Sequence, residues 1–375
     1  MDSLPLLAEL LKGITHLTLG HGIMIAAGGA LVVVAVVKQY EPMLLLPIGF
    51  GCIVANLPLT GMVGEHGLFG LLYQVGIHTE LFPLLIFIGV GAMTDFSPLL
   101  SQPKMVLLGA AGQLGIFGTL LLATLFGFPL NEAASIGVIG AIDGPTSIFV
   151  ATKLAPNLLA PIAVAAYSYM SLVPLLQPPL MKLMTTRAER QVRMEYTPRP
   201  VSRRALILFP ILVTLVIGLL VPDATPLISM LMLGNLLRES GVVERLNRLA
   251  QNELINVATL FLALTIGATM SAESFLRWDT LAILALGLIA FGLDTVGGLL
   301  IGKLMCAATG GRVNPLIGAA GISAFPMAAR LAAQMAQAED FDNFLLMHAM
   351  GANTAGQLAS VAAGGVLLAL VSGLG

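Results

Sequence analysis

The chain has 375 residues, of which 57% are hydrophobic and 10% charged, with a net charge of −2. Its mean hydropathy is +0.94. A soluble domain needs about 25% charged residues to cover its surface, so a water-soluble enzyme is excluded, and no Lys/Arg patch with interleaved aromatics points to nucleic acid. Cys52 and Cys306 have neither metal-ligand nor disulfide spacing and read as buried thiols. The N-terminus lacks a basic stretch and a small-residue cleavage site before its first long apolar run, so no removable signal peptide is expected.

Apolar elements are predicted near residues 17–37, 43–58, 81–94, 105–127, 133–152, 158–178, 205–221, 225–237, 254–271, 280–305, 314–333 and 345–371. Many are long enough to cross the hydrocarbon of a bilayer, which takes about 20 residues as a helix. Several are short or broken by Gly and Pro. Residues 182–204 lie outside the bilayer. They carry Lys182, Arg187, Arg190, Arg193, Arg199, Arg203 and Arg204 against Glu189 and Glu195. Such an excess of bases marks a cytoplasmic loop, and it divides the chain into a first membrane repeat, 1–181, and a second, 205–375.

The two halves echo one another. Asn56-Leu57…Gly61 answers Asn235-Leu236…Gly241, Gly91-Ala-Met-Thr94 answers Gly267-Ala-Thr-Met270, and Ile139-Gly-Ala141 answers Ile317-Gly-Ala319, in order and at nearly one spacing. Charge bias at equivalent points is opposite. The loop after Asn56 has no Lys or Arg through residue 103, while the loop after Asn235 has Arg238, Arg245 and Arg248. Opposite bias means inverted orientation. If Lys38 and Lys104 are inside, the basic loop stays inside only when one of the next two elements enters and returns. Residues 133–156 are the candidate, and 314–333, broken by Pro326, is its counterpart from the other face. The expected fold class is therefore an all-α polytopic membrane protein of two inverted-topology repeats with re-entrant hairpins, an elevator-like transporter architecture.

Polar residues inside these runs carry the chemistry. Asp143 sits in Gly140-Ala-Ile-Asp-Gly-Pro-Thr146, inside an apolar run from Ser135 to Val150. An acid at membrane depth is costly unless it meets a cation, a proton or water. Gly144 and Pro145 break the helix, freeing carbonyls that can join the carboxylate around a small hard cation. The alternative is a loop acid just outside the bilayer. Asn314, Gly318, Gly321 and Ser323 form a second cluster of small or oxygen-bearing groups. Arg330 follows as a lone base, either snorkelling to the interface or anchoring an anionic substrate. Asn353 and Gln357 share a face if their helix is unbroken, as hydrogen-bonding glue or, for Asn353, as an amide-oxygen ligand. Tyr167 and Tyr169 sit mid-segment, where a buried phenol needs a partner. Asp294 is a further intramembrane acid, with Gln113 loosely matching it in the first half. No Walker motif is present, the five histidines lack metal spacing, and no Ala-Met-Lys-Met string offers a biotin attachment site.

These strings, with Glu41-Pro-Met-Leu-Leu-Leu-Pro-Ile-Gly-Phe-Gly51, Gly89-Val-Gly-Ala-Met-Thr-Asp-Phe96, Ala163 to Pro174, Gly234 to Arg245, Asn314 to Arg330 and His348 to Gly365, span nearly the whole chain in order. The chain resembles the beta subunit of sodium-ion-translocating, biotin-dependent decarboxylases of the oxaloacetate, methylmalonyl-CoA and glutaconyl-CoA family. The resemblance implies a membrane subunit that decarboxylates carboxybiotin, consumes a proton and exports sodium. The carboxybiotin arrives on a biotin carrier protein after an alpha carboxyltransferase subunit has loaded it. A small gamma or delta subunit and a homotrimer of this chain in the bacterial cytoplasmic membrane are implied as well. Carried over residue by residue, Asp143, Tyr169, Asn314, Gly318, Ser323, Arg330 and Asn353 stand where the family has its functional residues. Asp143, Asn314 and Asn353, with Gly318 and Ser323, look like the sodium site. Tyr169, Ser323 and Arg330 look like residues of proton delivery, a second ion site or carboxybiotin handling.

Two departures stand out. Ile142 precedes Asp143 where a small residue is expected, and the long insertion that some oxaloacetate members carry between their second and third segments is missing. The latter leans toward an acyl-CoA-type complex, although the alpha subunit chooses the substrate. The rival readings are a sodium-coupled carboxylate carrier or sodium/proton antiporter without decarboxylase activity, and a plain anchor for soluble subunits. A buried Asp-Gly-Pro speaks against the anchor.

Overall fold

The computed structural model describes residues 11–39, 41–195 and 200–374; Arg199, counted above in the basic loop, lies outside them. Every regular element among the described residues is helical. Among the described residues six helices are long and apolar enough to cross a membrane, and up to eight if each bent pair is one span. This is a multi-pass membrane protein. The observed helices follow most of the predicted stretches, but the one expected at 254–271 starts at Glu244. A helix at Leu68–Leu72, continued by a π-helical turn over Tyr73–His78, was not anticipated. The element expected at 314–333 is a four-residue turn, Leu316–Ala319, and then a helix over Met327–Glu339. Cys52 is buried as expected, whereas Cys306 is only partly covered.

The chain divides into two compact units. The first comprises Met1–Phe82 and Asn256–Ala282, the second Pro83–Ile255 and Ile283–Gly375. Helix α1 (Leu19–Val33) and helix α2 (Pro42–Ala55) belong to the first unit. The second holds most of α3 (Leu81–Met93), then α4 (Val106–Ala111), α5 (Leu114–Leu125), α6 (Leu130–Gly137), α7 (Gly144–Leu154), α8 (Leu159–Met184), α9 (Arg203–Leu220) and α10 (Thr225–Ser240). Helix α11 (Ile255–Thr269) returns to the first unit. The second unit then continues with most of α12 (Trp278–Ala308), α13 (Leu316–Ala319), α14 (Met327–Glu339) and α15 (Leu346–Leu374).

A tight helix crossing in the first unit and one in the second are built alike. In the first unit, Gly51 of α2 meets the Leu264 carbonyl, and Gly267 of α11 meets the Ile48 carbonyl so closely that a Cβ at either would collide with backbone. Asn56, ending α2, donates from Nδ2 to Met270 O at 2.8 Å. In the second unit, Gly91 of α3 meets the Leu231 carbonyl and Gly234 of α10 meets the Ile88 carbonyl. Asn235 donates from Nδ2 to Thr94 O at 2.9 Å. Between helices that lipid cannot drive together, such backbone-to-backbone approach supplies the attraction. Of these residues, Asn56 and Asn235, and Gly91 and Gly267, are matched pairs of the internal echo.

Two hairpins in the second unit have closed bases. In the first, α6 passes into a 3-10 turn over Val138–Ala141, and Ile142 takes a left-handed conformation (φ 52°) that stops it. The chain re-enters helix at α7, with Asp143 as N-cap. Left-handed backbone costs an L-residue about 1–2 kcal/mol. Ile142 is fully buried with Val173, Phe291 and Ile322, and burying such a side chain contributes about 2 kcal/mol, enough to hold the turn. At the base, Asn131 Nδ2 donates to Leu154 O at 2.8 Å and Asn157 Nδ2 to Glu132 Oε1 at 2.9 Å. The second hairpin is α13, the turn at 320–326, and α14. Asn314 before it and Asn343 after it both donate to the carbonyls of Arg190 and Val192, at 2.8–3.2 Å.

Two further interruptions matter. The span Pro103–Leu125 breaks at Gly112–Gln113, between α4 and α5. Helix α8 bends by 63° between Met170 and Leu172. Pro174 lies in α8, and a proline removes the hydrogen bond to the carbonyl four residues back and pushes on it, which is where the bend falls.

The crossing is open to a direct check. Gly234→Ala drives a methyl group into the Ile88 carbonyl and is expected to destabilise by about 1–3 kcal/mol. Gly29→Ala, where nothing lies within 4 Å, is expected to be neutral or stabilising by about 0.5–1 kcal/mol from helix propensity. Thermal unfolding of both variants in detergent reads the difference.

Candidate functional site

The tips of the two hairpins meet. Ser323 N–H donates to Ala141 O at 3.3 Å. Both tips interrupt helices, so both expose backbone groups that a low-dielectric interior leaves without water. Helix α15 satisfies them with a ladder of side chains on one face. Asn353 Nδ2 donates to Ala320 O at 3.0 Å and to Ile322 O at 2.7 Å. Gln357 Nε2 donates to Ser323 O at 2.6 Å, and Ser323 Oγ returns a bond to Gly356 O at 3.0 Å. One turn further, Ser360 Oγ donates to Asp143 Oδ2 at 3.2 Å. The unbroken helix thus presents Asn353, Gln357 and Ser360 to the second tip and then to the first.

Asp143 is 6% exposed. Its Oδ2 also accepts from Thr146 Oγ at 2.9 Å, and Oδ1 accepts from Thr146 N–H at 3.4 Å. The Asp-Gly-Pro-Thr string builds this locally. Asp caps, Pro sits in the first turn where a missing N–H costs nothing, and the third residue supplies the N–H that the cap needs. Among the described residues no Lys or Arg pairs with Asp143, so its charge faces only hydroxyls and one amide. The ring of Tyr167 lies against Gly144, where a Cβ would overlap it.

Three amide oxygens nearby in the fold are buried and unpartnered. Asn353 gives both its amide hydrogens to the second tip and leaves Oδ1 bare. Gln177 of α8 donates to Ala319 O at 2.7 Å and leaves Oε1 bare. Gln113 donates to Gly109 O at 3.0 Å and leaves Oε1 bare. Carboxylate, amide, hydroxyl and carbonyl oxygens are the donor set of a hard cation. No group of three His, Cys, Asp or Glu gathers among the described residues, so the softer ligand sets of zinc or copper are absent from them.

The sequence-predicted residues fall into two groups. Asp143, Ser323 and Asn353 belong to the joint between the tips. Asn314 sits at the base of the second hairpin, with Nδ2 on the Arg190 and Val192 carbonyls and Oδ1 accepting from Leu316 N–H at 2.9 Å. Gly318 packs backbone to backbone on Gly298 of α12. Tyr169 hydroxyl donates to Leu284 O on α12, and its ring lies against Gly287. Arg330 is exposed on α14, and its guanidinium makes no hydrogen bond or ion pair among the described residues. Thr146 and Ser360 were missed. Thr146 was within reach of the capping pattern, and Ser360 lies one helical repeat beyond Asn353 on the face already noted.

The basic stretch is largely engaged. Arg190 and Arg187 pair with Glu339 at 2.7 and 3.2 Å, and Arg193 grips Asp340 at 2.6 and 2.7 Å. These bonds tie the end of α14 to the 187–193 segment. The Arg190 hydrogen bond holds the Glu339 carboxyl below its ordinary value of 4.5, and the Arg193 hydrogen bond lowers Asp340 in the same way. A depressed folded-state value stabilises above the unfolded one, so this contribution is complete above pH 4.5 and fades as pH falls below it. Glu339→Gln is therefore expected to lower the unfolding midpoint at pH 7 and to match the parent once pH falls through the folded-state value. High salt is expected to shrink the neutral-pH difference.

The comparisons with known proteins cover nearly the whole chain. The family described as Na+-transporting oxaloacetate decarboxylase beta subunit matches residues 20–371. The methylmalonyl-CoA decarboxylase subunit beta of Veillonella parvula is 55% identical over 361 residues, 96% of each chain. The glutaconyl-CoA decarboxylase subunit beta of Acidaminococcus fermentans is 54% identical over 362 residues, again 96% of each. The oxaloacetate decarboxylase beta chain of Haemophilus ducreyi is 45% identical over 422 residues, 96% of this chain and 97% of that one.

Proposed function

The chain belongs to the Na+-transporting oxaloacetate decarboxylase beta-subunit family, and on that premise we propose that it decarboxylates carboxybiotin and couples the reaction to sodium export. The observation that best supports the reading is the joint between the hairpin tips. It gathers a buried acid without a countercharge, an orphaned amide oxygen and three hydroxyls. Sodium is the transported substrate. Asp143 supplies the charge, Asn353 Oδ1 and Ser323 supply oxygen, and Thr146 and Ser360 can turn their lone pairs toward the ion. In the conformation seen here Asn314 and Gly318 serve the same site through the arms of the second hairpin, one by holding its base and the other by its close packing on α12.

Carboxybiotin is carried in by a biotin carrier protein from the cytoplasmic side, where the alpha carboxyltransferase subunit loads it. Arg330, exposed and unpaired, is suited to receive its carboxylate, since a guanidinium matches that group in two bonds. Decarboxylation breaks the bond between the ureido nitrogen and the carboxyl carbon, releases CO2 and leaves the nitrogen to take a proton. Tyr169, Ser323 and Asp143 are the groups proposed to handle that proton. Energy is conserved only if the bond breaks with sodium already bound.

The architecture proposed is two inverted repeats, 1–181 and 205–375, joined by the cytoplasmic stretch 182–204, with hairpins dipping from opposite faces. The paired crossings at Asn56 and Asn235, built alike from equivalent strings, support it. An elevator-like movement of the hairpins would then expose the site to either side. The partners proposed are the alpha subunit, the biotin carrier, a small gamma or delta subunit and two further copies of this chain, in the bacterial cytoplasmic membrane. The missing insertion favours an acyl-CoA complex, and the relatives named for methylmalonyl-CoA and glutaconyl-CoA support that choice.

The deciding test is decarboxylation of carboxybiotin by the complex with and without sodium. Wild-type turnover is expected only with sodium, and Asp143→Asn is expected to lose at least about 100-fold of it. Wild-type turnover in Asp143→Asn would remove the ion-site role. Sodium transport without any decarboxylation would favour the carrier reading.

A further inference from the structure

A second acid lies in the interior of the same unit and takes no part in the joint. Asp294, on α12, is fully buried. Its Oδ1 accepts from Gly115 N–H at the start of α5, the point where the span Pro103–Leu125 resumes after its break. Its Oδ2 is buried and has no hydrogen-bond partner. A Cβ added to Gly140 would lie 3.0 Å from that oxygen, and one at Gly115 would run into the same carboxyl. The carboxyl is therefore wedged between the first residues of α5 and the 3-10 turn of the first hairpin, three residues before Asp143. Thr295 Oγ, next along α12, and Gln113 Oε1, just before α5, are buried and unpartnered too.

Few charged groups face this carboxyl. Helix α5 and the 3-10 turn carry no titratable side chain. On α12, Tyr169 of α8 packs two turns back at Gly287. On the hairpin, Asp143 follows the turn, while Glu132 and Lys153 lie toward the base. Half the carboxyl is stabilised by an N–H at a helix N-terminus, which favours negative charge. Ile116 N–H, the next along α5, also lies beside the carboxyl, but Oδ2 closes no hydrogen bond, and an ionised oxygen without a bonded donor in a dry interior is costly. Two occupants relieve that cost, a proton or a cation. The fixed donor here is a backbone N–H, which cannot turn a lone pair to a cation. At Asp143 most donors are hydroxyls, which can turn.

We propose that Asp294 is a proton-carrying residue of the pump, a site separate from the sodium site at Asp143. The proposal rests on the functional reading above, in which decarboxylation consumes a proton. Asp294 takes up a proton from water, forming an O–H bond at Oδ2 and losing its charge. That O–H bond breaks when the proton passes on toward the ureido nitrogen, which has kept the electron pair of the broken N–C bond. Because Gly140 abuts Oδ2, the charge state of Asp294 acts on the first hairpin close to the sodium-bearing acid.

Two readouts test this. The first is an infrared pH titration of the purified full chain in detergent, made in the Asp143→Asn background. A carboxylic-acid carbonyl band that titrates and disappears in Asp143→Asn/Asp294→Asn is the expected result; a spectrum identical in the two proteins at every pH overturns the proposal. Should the double variant fail to fold, Asp143→Asn/Gly140→Ala replaces it. The methyl group pressed on Oδ2 is expected to displace the band, and an unmoved titration overturns the assignment. The second readout is turnover of the complete decarboxylase carrying Asp294→Asn, an exchange that keeps an oxygen to accept the Gly115 N–H. kcat is expected to fall about 100-fold with its pH profile flattened and the KM for sodium little changed. Wild-type kcat with an unaltered pH profile overturns the proposal. The infrared band is read without turnover, so its absence counts against Asp294 alone, whereas a wild-type complex without sodium-dependent decarboxylation counts against the functional reading instead.

Discussion

A broken helix inside a membrane leaves carbonyls and N–H groups that lipid cannot satisfy, and the second unit is organised around meeting that demand. Two hairpins bring their interrupted tips together, and a single unbroken helix, α15, satisfies them both. Asn353 and Gln357 donate to three carbonyls of the second tip, and Ser360 donates to the acid of the first. The arrangement is economical in donors and rich in leftover oxygen. Asn353, which donates both its hydrogens into the second tip, leaves its own oxygen bare. The proposed site for a hard cation draws on the same bonds that make the breaks tolerable.

The outer ends of the second hairpin are fixed by different forces. Asn314 and Asn343 clasp the same two carbonyls, and Arg190 and Arg193 hold Glu339 and Asp340 beside them. Arg190, Glu339 and Asp340 are partly covered and Arg193 is exposed, and a pair near the surface contributes little alone. Their effect is geometric: they fix where the hairpin starts and ends, while the tip is set by buried hydrogen bonds. In the stretch that reads from sequence as a cytoplasmic loop, Arg187, Arg190 and Arg193 form the clamp of a hairpin.

Much of this was legible in the residues. Hydropathy located the helices, and Asp143-Gly-Pro marked a break with a buried acid because each of those residues has a local reason to be there. Asn353 and Gln357 were legible as one face. Other features were not. Asn314 and Arg190 lie far apart in sequence, and nothing in either string says that they meet. Ser360 is an ordinary serine until a tip from the other half of the chain is laid against its helix. The helix at Leu68–Leu72 with its π-helical turn escaped because it is short and sits in a Gly-rich stretch. Ile142 was noticed only as an unexpected bulk, yet its left-handed backbone is what turns the chain into Asp143. Long-range partners and rare backbone states are invisible to periodicity, whereas caps, breaks and helical faces are local and can be read.

The claim on which the rest depends is that the joined tips bind sodium. The most direct measurement is the thermal unfolding midpoint of the purified chain in detergent as sodium chloride is titrated, with choline chloride holding ionic strength constant. Anything that binds the folded state alone raises its stability, by about 2.7 kcal/mol at a concentration 100 times its dissociation constant. Sodium is expected to raise the midpoint of the wild-type chain in a saturable way, potassium is not, and Asn353→Ala is expected to abolish the response while still unfolding cooperatively. A wild-type midpoint indifferent to sodium, or a response that Asn353→Ala leaves intact, would contradict it.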